Sequence, residues 1–138
     1  MGTDIVVGID GSEDSKQALA WGVEEAKLRG ARVRAVLCWS YLGLSGSDMG
    51  VGTTEEDARA AIEEVVAAVV PEADRAVVDV VPVNDLPVAG LLGQSEDAAL
   101  IVVGSRGRGG VKGLVLGSVS RTVVERATVP VVVLPHLN

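Results

Sequence analysis

A glycine-rich, basic block runs from residue 104 to residue 118 and has the sequence GSRGRGGVKGLVLGS. Six of its fifteen residues are glycine, and Arg106, Arg108 and Lys112 add positive charge. Glycine lets the backbone approach an anion closely and adopts the dihedral angles at which several N–H groups converge. A helix that follows such a loop points its positive end at the anion. The block therefore predicts a phosphate-binding loop, although its composition is also typical of a disordered basic turn.

The spacing of these glycines does not fit the two common nucleotide motifs. The Walker pattern G-x-x-x-x-G-K-[ST] is absent, because Lys112 follows Val111 and precedes Gly113. The dinucleotide pattern G-x-G-x-x-G can start at Gly107 and Gly109, but its third glycine position is occupied by Lys112. The block instead follows the spacing G-2x-G-9x-G-[ST], at Gly104, Gly107, Gly117 and Ser118.

A second polar loop, DGSEDS, begins at Asp10, directly after the first apolar run of the chain. A carboxylate at the end of a strand can accept hydrogen bonds from ligand hydroxyls, and Ser12 is suited to cap the helix that follows. Asp10 is also a common turn residue, which leaves a purely structural alternative open. The loop is similar to the S-G-G-x-D-S phosphate loop of PP-loop ATP pyrophosphatases, except that Asp10 and Ser12 replace its first serine and second glycine.

Apolar runs and helix-forming stretches alternate along the chain. Strands are predicted over residues 5–9, 33–39, 76–83, 98–103 and 129–134, and helices over residues 14–29, 54–70, 87–97 and 118–127. The order βαβαβαβαβ predicts an α/β fold, a single doubly wound domain over residues 1–138 with a five-stranded, mostly parallel sheet and helices on both faces. Pro82 places the third strand at an edge or indicates a strand end. Ligands bind such sheets at the carboxyl ends of the strands, where both polar loops fall.

The composition excludes several classes of protein. A net charge of −7 argues against nucleic-acid binding, and a single cysteine, Cys38, allows no intramolecular disulfide. We expect a cytoplasmic protein, because the start of the sequence lacks a signal-peptide pattern and no apolar run approaches the ~20 residues of a membrane span. No metal site or paired-acid constellation is visible, and His136, the only histidine, is expected at the surface.

Taken together, the segments LIVVGSRGRGG, GLVLGSVSRTVVERATVPVVVLP and IVVGIDGSEDSKQALAWGVEEA resemble the ATP-binding type of the universal stress protein family. The resemblance covers nearly the whole chain and is weakest over residues 40–60 and at Asn84-Asp85. It implies a flavodoxin-like or Rossmann-like domain with strand order 3-2-1-4-5. It also implies a cofactor, ATP, to which Mg²⁺ could be bound, and a homodimer joined through the final strand, residues 129–135.

The resemblance further implies a set of nucleotide-binding residues. They are Asp10, Gly11, Ser12, Cys38, Trp39, Val103, Gly104, Gly107, Arg108, Gly117, Ser118, Val119 and Ser120. Asp10 matches the family's acidic residue at the ribose, and the glycines with Ser118 match its phosphate loop. The adenine would lie at the end of the second strand, where Trp39 could stack on it, block it or pack in the core.

No residue pattern in the chain predicts catalysis. We therefore expect a nucleotide-dependent regulatory or stress-response module, with slow ATP hydrolysis or autophosphorylation left open. Two alternative functions remain open. One is an adenylating enzyme of the PP-loop type, which would release pyrophosphate. The other is an interaction protein of the same fold that does not use ATP, against which the intact glycine spacing argues.

Overall fold

The computed structural model of the chain describes residues 2–40, 54–106 and 116–136. Its strands are β1 (Ile5–Gly8), β2 (Val33–Trp39), β3 (Val78–Asn84), β4 (Leu100–Gly104) and β5 (Val131–Leu134). They form a five-stranded sheet in the order β3-β2-β1-β4-β5. Every pairing is parallel, with Ile5 opposite Val33 on one side and opposite Leu100 on the other. The predicted fold class and strand order are confirmed.

Within the described ranges, four α-helices connect the strands, and their sequences explain where they begin and end. They are α1 (Glu13–Arg29), α2 (Glu55–Val69), α3 (Pro87–Ser95) and α4 (Ser118–Arg126). Ser12 and Thr54 accept hydrogen bonds from backbone N–H groups in the first turns of α1 and α2. Gly30 ends α1 in the left-handed conformation, at φ 66°, which glycine adopts without strain.

One element was not predicted from the sequence. A 3₁₀-helix, Glu72–Val77, follows α2, so β3 begins later than the predicted start at residue 76. Pro71 ends the preceding helix, and its carbonyl accepts a hydrogen bond from Asp74 N at 2.8 Å, which starts the tighter turn.

The sheet separates two apolar cores. The first core lies under α1 and α2 and includes Leu19, Ile62 and Trp39. The second lies under α3 and α4 and includes Leu91 and Val123. Neighbouring residues of one strand pack into opposite cores, because successive side chains point to opposite faces. The predicted helices on both faces of the sheet are therefore confirmed.

The edge strands differ in character. Pro82 lies inside β3, opposite Leu37, and is tolerated because β3 is an edge strand that leaves one row of backbone groups unpaired. β5, the other edge, contains only apolar residues, and it is shorter than the predicted range of 129–134.

Ion pairs connect neighbouring segments at the amino edge of the sheet. Arg34 contacts Asp4 at 2.9 Å and Asp97 at 3.1 Å. Its hydrogen bond to Asp97 holds the pKa of that carboxyl below its usual value. Arg32 has the same effect on the pKa of Asp79 in β3. Among the described residues, no helix is both long enough and apolar enough to cross a membrane.

Candidate nucleotide-binding edge

The central strand is shorter than its neighbours at the carboxyl edge of the sheet. The pairing of β1 with β2 ends at Gly8 and Val36, whereas β2 continues to Trp39. On the other side, β1 pairs as far as Val102, and β4 continues to Gly104. The strand order reverses between β1 and β4, which is where ligands bind in doubly wound sheets. The loops after these two strands therefore border the expected ligand position.

The loop after β1 is held by its own polar side chains. Asp10 Oδ1 accepts hydrogen bonds from Ser12 N at 2.9 Å and Ser12 Oγ at 2.6 Å. Gly11 lies between them at φ 84°, a conformation that favours glycine. Ser12 Oγ in turn accepts from Ser15 N at 3.1 Å. The carboxylate of Asp10 thus has a fixed orientation at the end of β1, and Ser12 caps α1 as predicted.

Gly104, at the end of β4, owes its identity to a close contact with α1. A Cβ atom added at Gly104 would lie 2.5 Å from Asp14 Cβ and 2.9 Å from the Asp14 carbonyl carbon. Among the described residues, only Gly11 and Gly30 have a positive φ, so Gly104 is not required by a left-handed backbone. The neighbouring Val103 is buried in the second core. The packing of α1 against β4 is therefore sufficient to explain this glycine.

Ser105 joins the two ends of the glycine-rich block. Its carbonyl accepts hydrogen bonds from Gly117 N at 2.6 Å and from Ser120 Oγ at 2.9 Å. Its own N–H donates to the Leu134 carbonyl at 2.9 Å. Ser105 was not among the predicted site residues, because nothing in its local sequence separates it from other loop serines. The chain thus leaves β4 and enters α4 at the same place.

The first turn of α4 faces this junction. Gly117 is its N-cap, in an extended conformation and without a side-chain cap. The N–H groups at the start of a helix have no partner within the helix and carry partial positive charge. Ser118 is exposed and Val119 is half-buried. The buried Ser120 hydroxyl hydrogen-bonds to the Ser105 and Gly117 carbonyls.

Two predicted site residues, Gly107 and Arg108, lie outside the described residues, as does Lys112. Arg106 is described, and its backbone N–H donates to Asp14 Oδ2 at 3.1 Å.

At the end of β2, the backbone lies at the carboxyl edge of the sheet and the last two side chains are buried. Cys38 and Trp39 are 6% and 4% exposed and pack into the second and first core, respectively. Burial, with a smaller contribution from Asp85, raises the pKa of the Cys38 thiol to about 12. The Trp39 carbonyl accepts a hydrogen bond from Asp85 N at 3.0 Å. Of the alternatives for Trp39, the structure shows core packing.

A partly buried contact between a carboxylate and an imidazole lies at the same edge of the sheet. Asp14 Oδ1 lies 2.7 Å from His136 Nδ1. The His136 side chain is 37% exposed, whereas that of Asp14 is only 4% exposed. His136 is thus at the surface, as expected, but it is tied to the first turn of α1. Asp14 was not among the predicted site residues, because its partners Ser105, Arg106 and His136 are all distant in sequence.

A doubly wound parallel sheet with polar loops at its switch point defines the class of α/β domains that hold ligands at the carboxyl edge. A family model described as the universal stress protein family matches residues 1–135, and the chain belongs to that family. It is 39% identical over 132 residues to the universal stress protein Rv2005c of Mycobacterium tuberculosis. That match covers 94% of this chain but 44% of the relative, so the chain spans about half the length of such relatives.

Two solved structures show the same fold. A universal stress protein in complex with cAMP is 24% identical, with a TM-score of 0.66, and the match covers 97% of each chain. The universal stress protein from Archaeoglobus fulgidus in complex with dAMP is 23% identical, with a TM-score of 0.67. This second match covers 96% of the present chain and 97% of the neighbour.

Proposed function

We propose that residues 1–138 form one domain that binds an adenine nucleotide, with ATP as the physiological ligand, and that acts as a nucleotide-dependent stress-response module. The observation that carries the proposal is the hydrogen bond from Gly117 N to the Ser105 carbonyl, 2.6 Å long. It joins the ends of the glycine-rich block directly before α4. Membership of the universal stress protein family, and neighbours in complex with cAMP and dAMP, support the same function.

The phosphates would lie at the start of α4. The N–H groups of Ser118 and Val119 belong to the first turn of this helix, where they and the helix dipole favour an anion. Gly107 and Arg108 complete the proposed phosphate-binding set. The Gly117 N–H already donates to the Ser105 carbonyl. Gly117 would therefore contribute to the site by leaving room for the anion, because it has no side chain.

The ribose would contact Asp10. Its carboxylate is held at the end of β1 by Ser12. Ribose hydroxyls are suitable donors to a carboxylate at this position. Gly11 and Ser12 would line the same side of the ligand.

The adenine would lie against the backbone at Cys38 and Trp39, beyond the end of β1. Because both side chains are buried, recognition of the base would depend on main-chain groups and on the neighbouring Val103 and Gly104. A change of side chain at Cys38 or Trp39 relative to other family members would therefore leave such recognition intact.

Mg²⁺ is proposed to enter the site together with ATP. Among the described residues, no group of three or more His, Cys, Asp or Glu residues is arranged to hold a metal. Mg²⁺ would therefore be bound mostly by the phosphates of ATP and would partly neutralise their charge.

A homodimer joined through β5 is part of the proposal. The outer edge of β5 is apolar and carries no charged residue, whereas the opposite edge strand contains Asp79 and Pro82. Charges and proline at an edge oppose pairing with another strand, so β5 is the edge that favours it.

The first experiment is to denature the purified protein, identify any released nucleotide, and titrate nucleotide-free protein with ATP, cAMP, dAMP and GTP. We expect ATP to bind and GTP to bind more weakly. Asp10→Asn keeps an acceptor for Ser12 but loses the charge, and should weaken ATP binding about tenfold, the effect of one charge-assisted hydrogen bond. The loss should be smaller with 2′,3′-dideoxy-ATP, which lacks the ribose hydroxyls.

Matched controls separate the site from general effects on the protein. Glu63→Gln removes an exposed carboxylate on α2, and Gly93→Val adds a side chain to α3 where a Cβ meets nothing within 4 Å. Neither should change the affinity for ATP, whereas Gly117→Val should abolish binding. A wild-type protein that neither carries nor binds an adenine nucleotide would contradict the proposal. Release of pyrophosphate from ATP would favour the adenylating alternative.

A further inference from the structure

Asp14 stands out because its burial is not explained by the proposed contacts with a nucleotide. Among the residues that the structure describes, it is the only charged residue that is buried, at 4% exposure. A buried carboxylate is costly unless hydrogen bonds compensate for its lost hydration. Its position in the first turn of α1 is favourable for a negative charge, but other positions in that turn are favourable too. Its specific partners must therefore account for its burial.

Those partners come from two other parts of the chain. Asp14 Oδ2 accepts the Arg106 N–H at 3.1 Å and lies 3.5 Å from Ser105 Oγ. Asp14 Oδ1 lies 2.7 Å from His136 Nδ1, which donates to the carboxylate in the tautomer that carries a proton on Nδ1. One side chain of α1 thus contacts both the chain that leaves β4 and the residues that follow β5.

The contact with β4 is close as well as polar. The backbone of Gly104 lies so near Asp14 that a Cβ there would be 2.5 Å from the Asp14 Cβ. Ser105 then connects the same point to α4 through Gly117 and to β5 through Leu134. The start of the glycine-rich block is therefore held from three sides, by α1, α4 and β5.

We propose that Asp14 is a positioning residue for the nucleotide site, which acts through the backbone of Ser105 and Arg106 and is itself held by His136. The inference rests on the proposed function and deepens it. Asp14 does not contact the ligand. It fixes the direction in which the chain leaves β4, and hence where the phosphate-binding loop begins relative to the first turn of α4.

The contact with His136 extends this control to the residues after β5. When His136 is absent, the Asp14 carboxylate keeps only its partners at residues 105 and 106 and is more free to turn. A smaller fraction of molecules then has the loop in its binding arrangement, and the apparent affinity falls in proportion to that fraction.

The test compares Asp14→Ala, Asp14→Asn and His136→Ala with Thr128→Ala, an exposed substitution just before β5. Titration with ATP should show affinity about tenfold weaker for Asp14→Ala and a smaller loss for His136→Ala. Asp14→Asn should keep most of the wild-type affinity, because the asparagine amide oxygen can accept the Arg106 N–H and its NH₂ group can donate to the imidazole. Thr128→Ala should bind ATP like the wild type.

A second measurement does not depend on ATP. Hydrogen exchange of the Arg106 amide, followed by NMR without nucleotide, should be slow in the wild type and fast in Asp14→Ala. Folded Asp14→Ala that keeps both wild-type affinity and slow exchange would overturn the inference. If Asp14→Ala does not fold, His136→Ala, a substitution of an exposed side chain, decides it by the same two readouts. If the wild type binds no nucleotide, the proposed function fails. Even then, an Arg106 amide that exchanges slowly in the wild type and fast in Asp14→Ala would show that Asp14 holds the start of the loop.

Discussion

Two carboxylates of one short segment, Asp10 and Asp14, show how surroundings separate residues of the same type. Asp10 is half-buried and is held by its neighbour Ser12, in a turn that the sequence itself favours. Asp14 is buried and bonds to residues 106 and 136. The first carboxylate is held within its own loop, whereas the second joins α1 to two distant parts of the chain.

Cys38 provides a test at the scale of a single residue. Its thiol is buried in the second core, its Sγ lies 3.8 Å from the Pro87 carbonyl, and its pKa is raised to about 12. Since the thiolate is the reactive form, the native protein should react very slowly with an aromatic disulfide reagent at pH 8. Reaction should be rapid after unfolding in urea, which serves as the control. Fast labelling of the native protein would contradict the described burial.

At the scale of the elements, the site depends on how closely α1 approaches the end of β4. Gly104 permits that approach, because its backbone lies against Asp14 in the first turn of the helix. Gly93 in α3 offers the contrast, since it is exposed and a Cβ there would meet nothing within 4 Å. A side chain would therefore clash with α1 at Gly104, whereas there is room for one at Gly93.

Substitution of these two glycines by alanine should change stability in opposite directions. Gly104→Ala should lower the free energy of unfolding by about 1–3 kcal/mol, because the added methyl group overpacks the contact with Asp14. Gly93→Ala should raise it by roughly 0.5–1 kcal/mol, because alanine favours a helix interior. Urea unfolding of the nucleotide-free proteins, followed by circular dichroism, measures both changes. A Gly104→Ala protein as stable as the wild type would show that α1 is not packed so closely against β4.

At the scale of the whole molecule, the two edges of the sheet determine where a second copy can add. The proposed dimer uses β5, in which the Pro130 and Leu134 carbonyls face β4, because they accept from Ile101 N and Ser105 N. Backbone groups alternate in direction along a strand, so the N–H groups of Val131 and Val133 point outward. These outward groups are the ones that another strand would meet.

The dimer is tested by light scattering at micromolar concentration. The wild type should show a mass twice the 14.1 kDa of one chain. Val133→Pro removes an outward N–H at an edge position that tolerates proline, and should shift the mass to that of a monomer while the circular dichroism spectrum is retained. A monomeric wild type would rule out this interface, and an unchanged mass in a folded Val133→Pro would place the interface elsewhere.

Much of the fold could be predicted because its signals are local. Apolar runs bounded by Gly, Pro and Asp marked the strands, and Ser12 and Thr54 marked the starts of α1 and α2. The 3₁₀-helix Glu72–Val77 escaped prediction, since its turn depends on a short run with little apolar pattern. The helix predicted over residues 118–127 is observed as Ser118–Arg126, and helix ends often shift by a residue.

Residue types at fixed short spacings were enough to predict the family, the order of strands and helices, and the loops that could bind a nucleotide. Which side chains meet at the carboxyl edge depends instead on the folded arrangement of the sheet. Ser105 joins Gly117, Asp14 joins Arg106 and His136, and the Trp39 ring lies in a core. The physical reason is that these contacts join residues far apart in the chain, and they form only once the parallel sheet brings the carboxyl ends of its strands together.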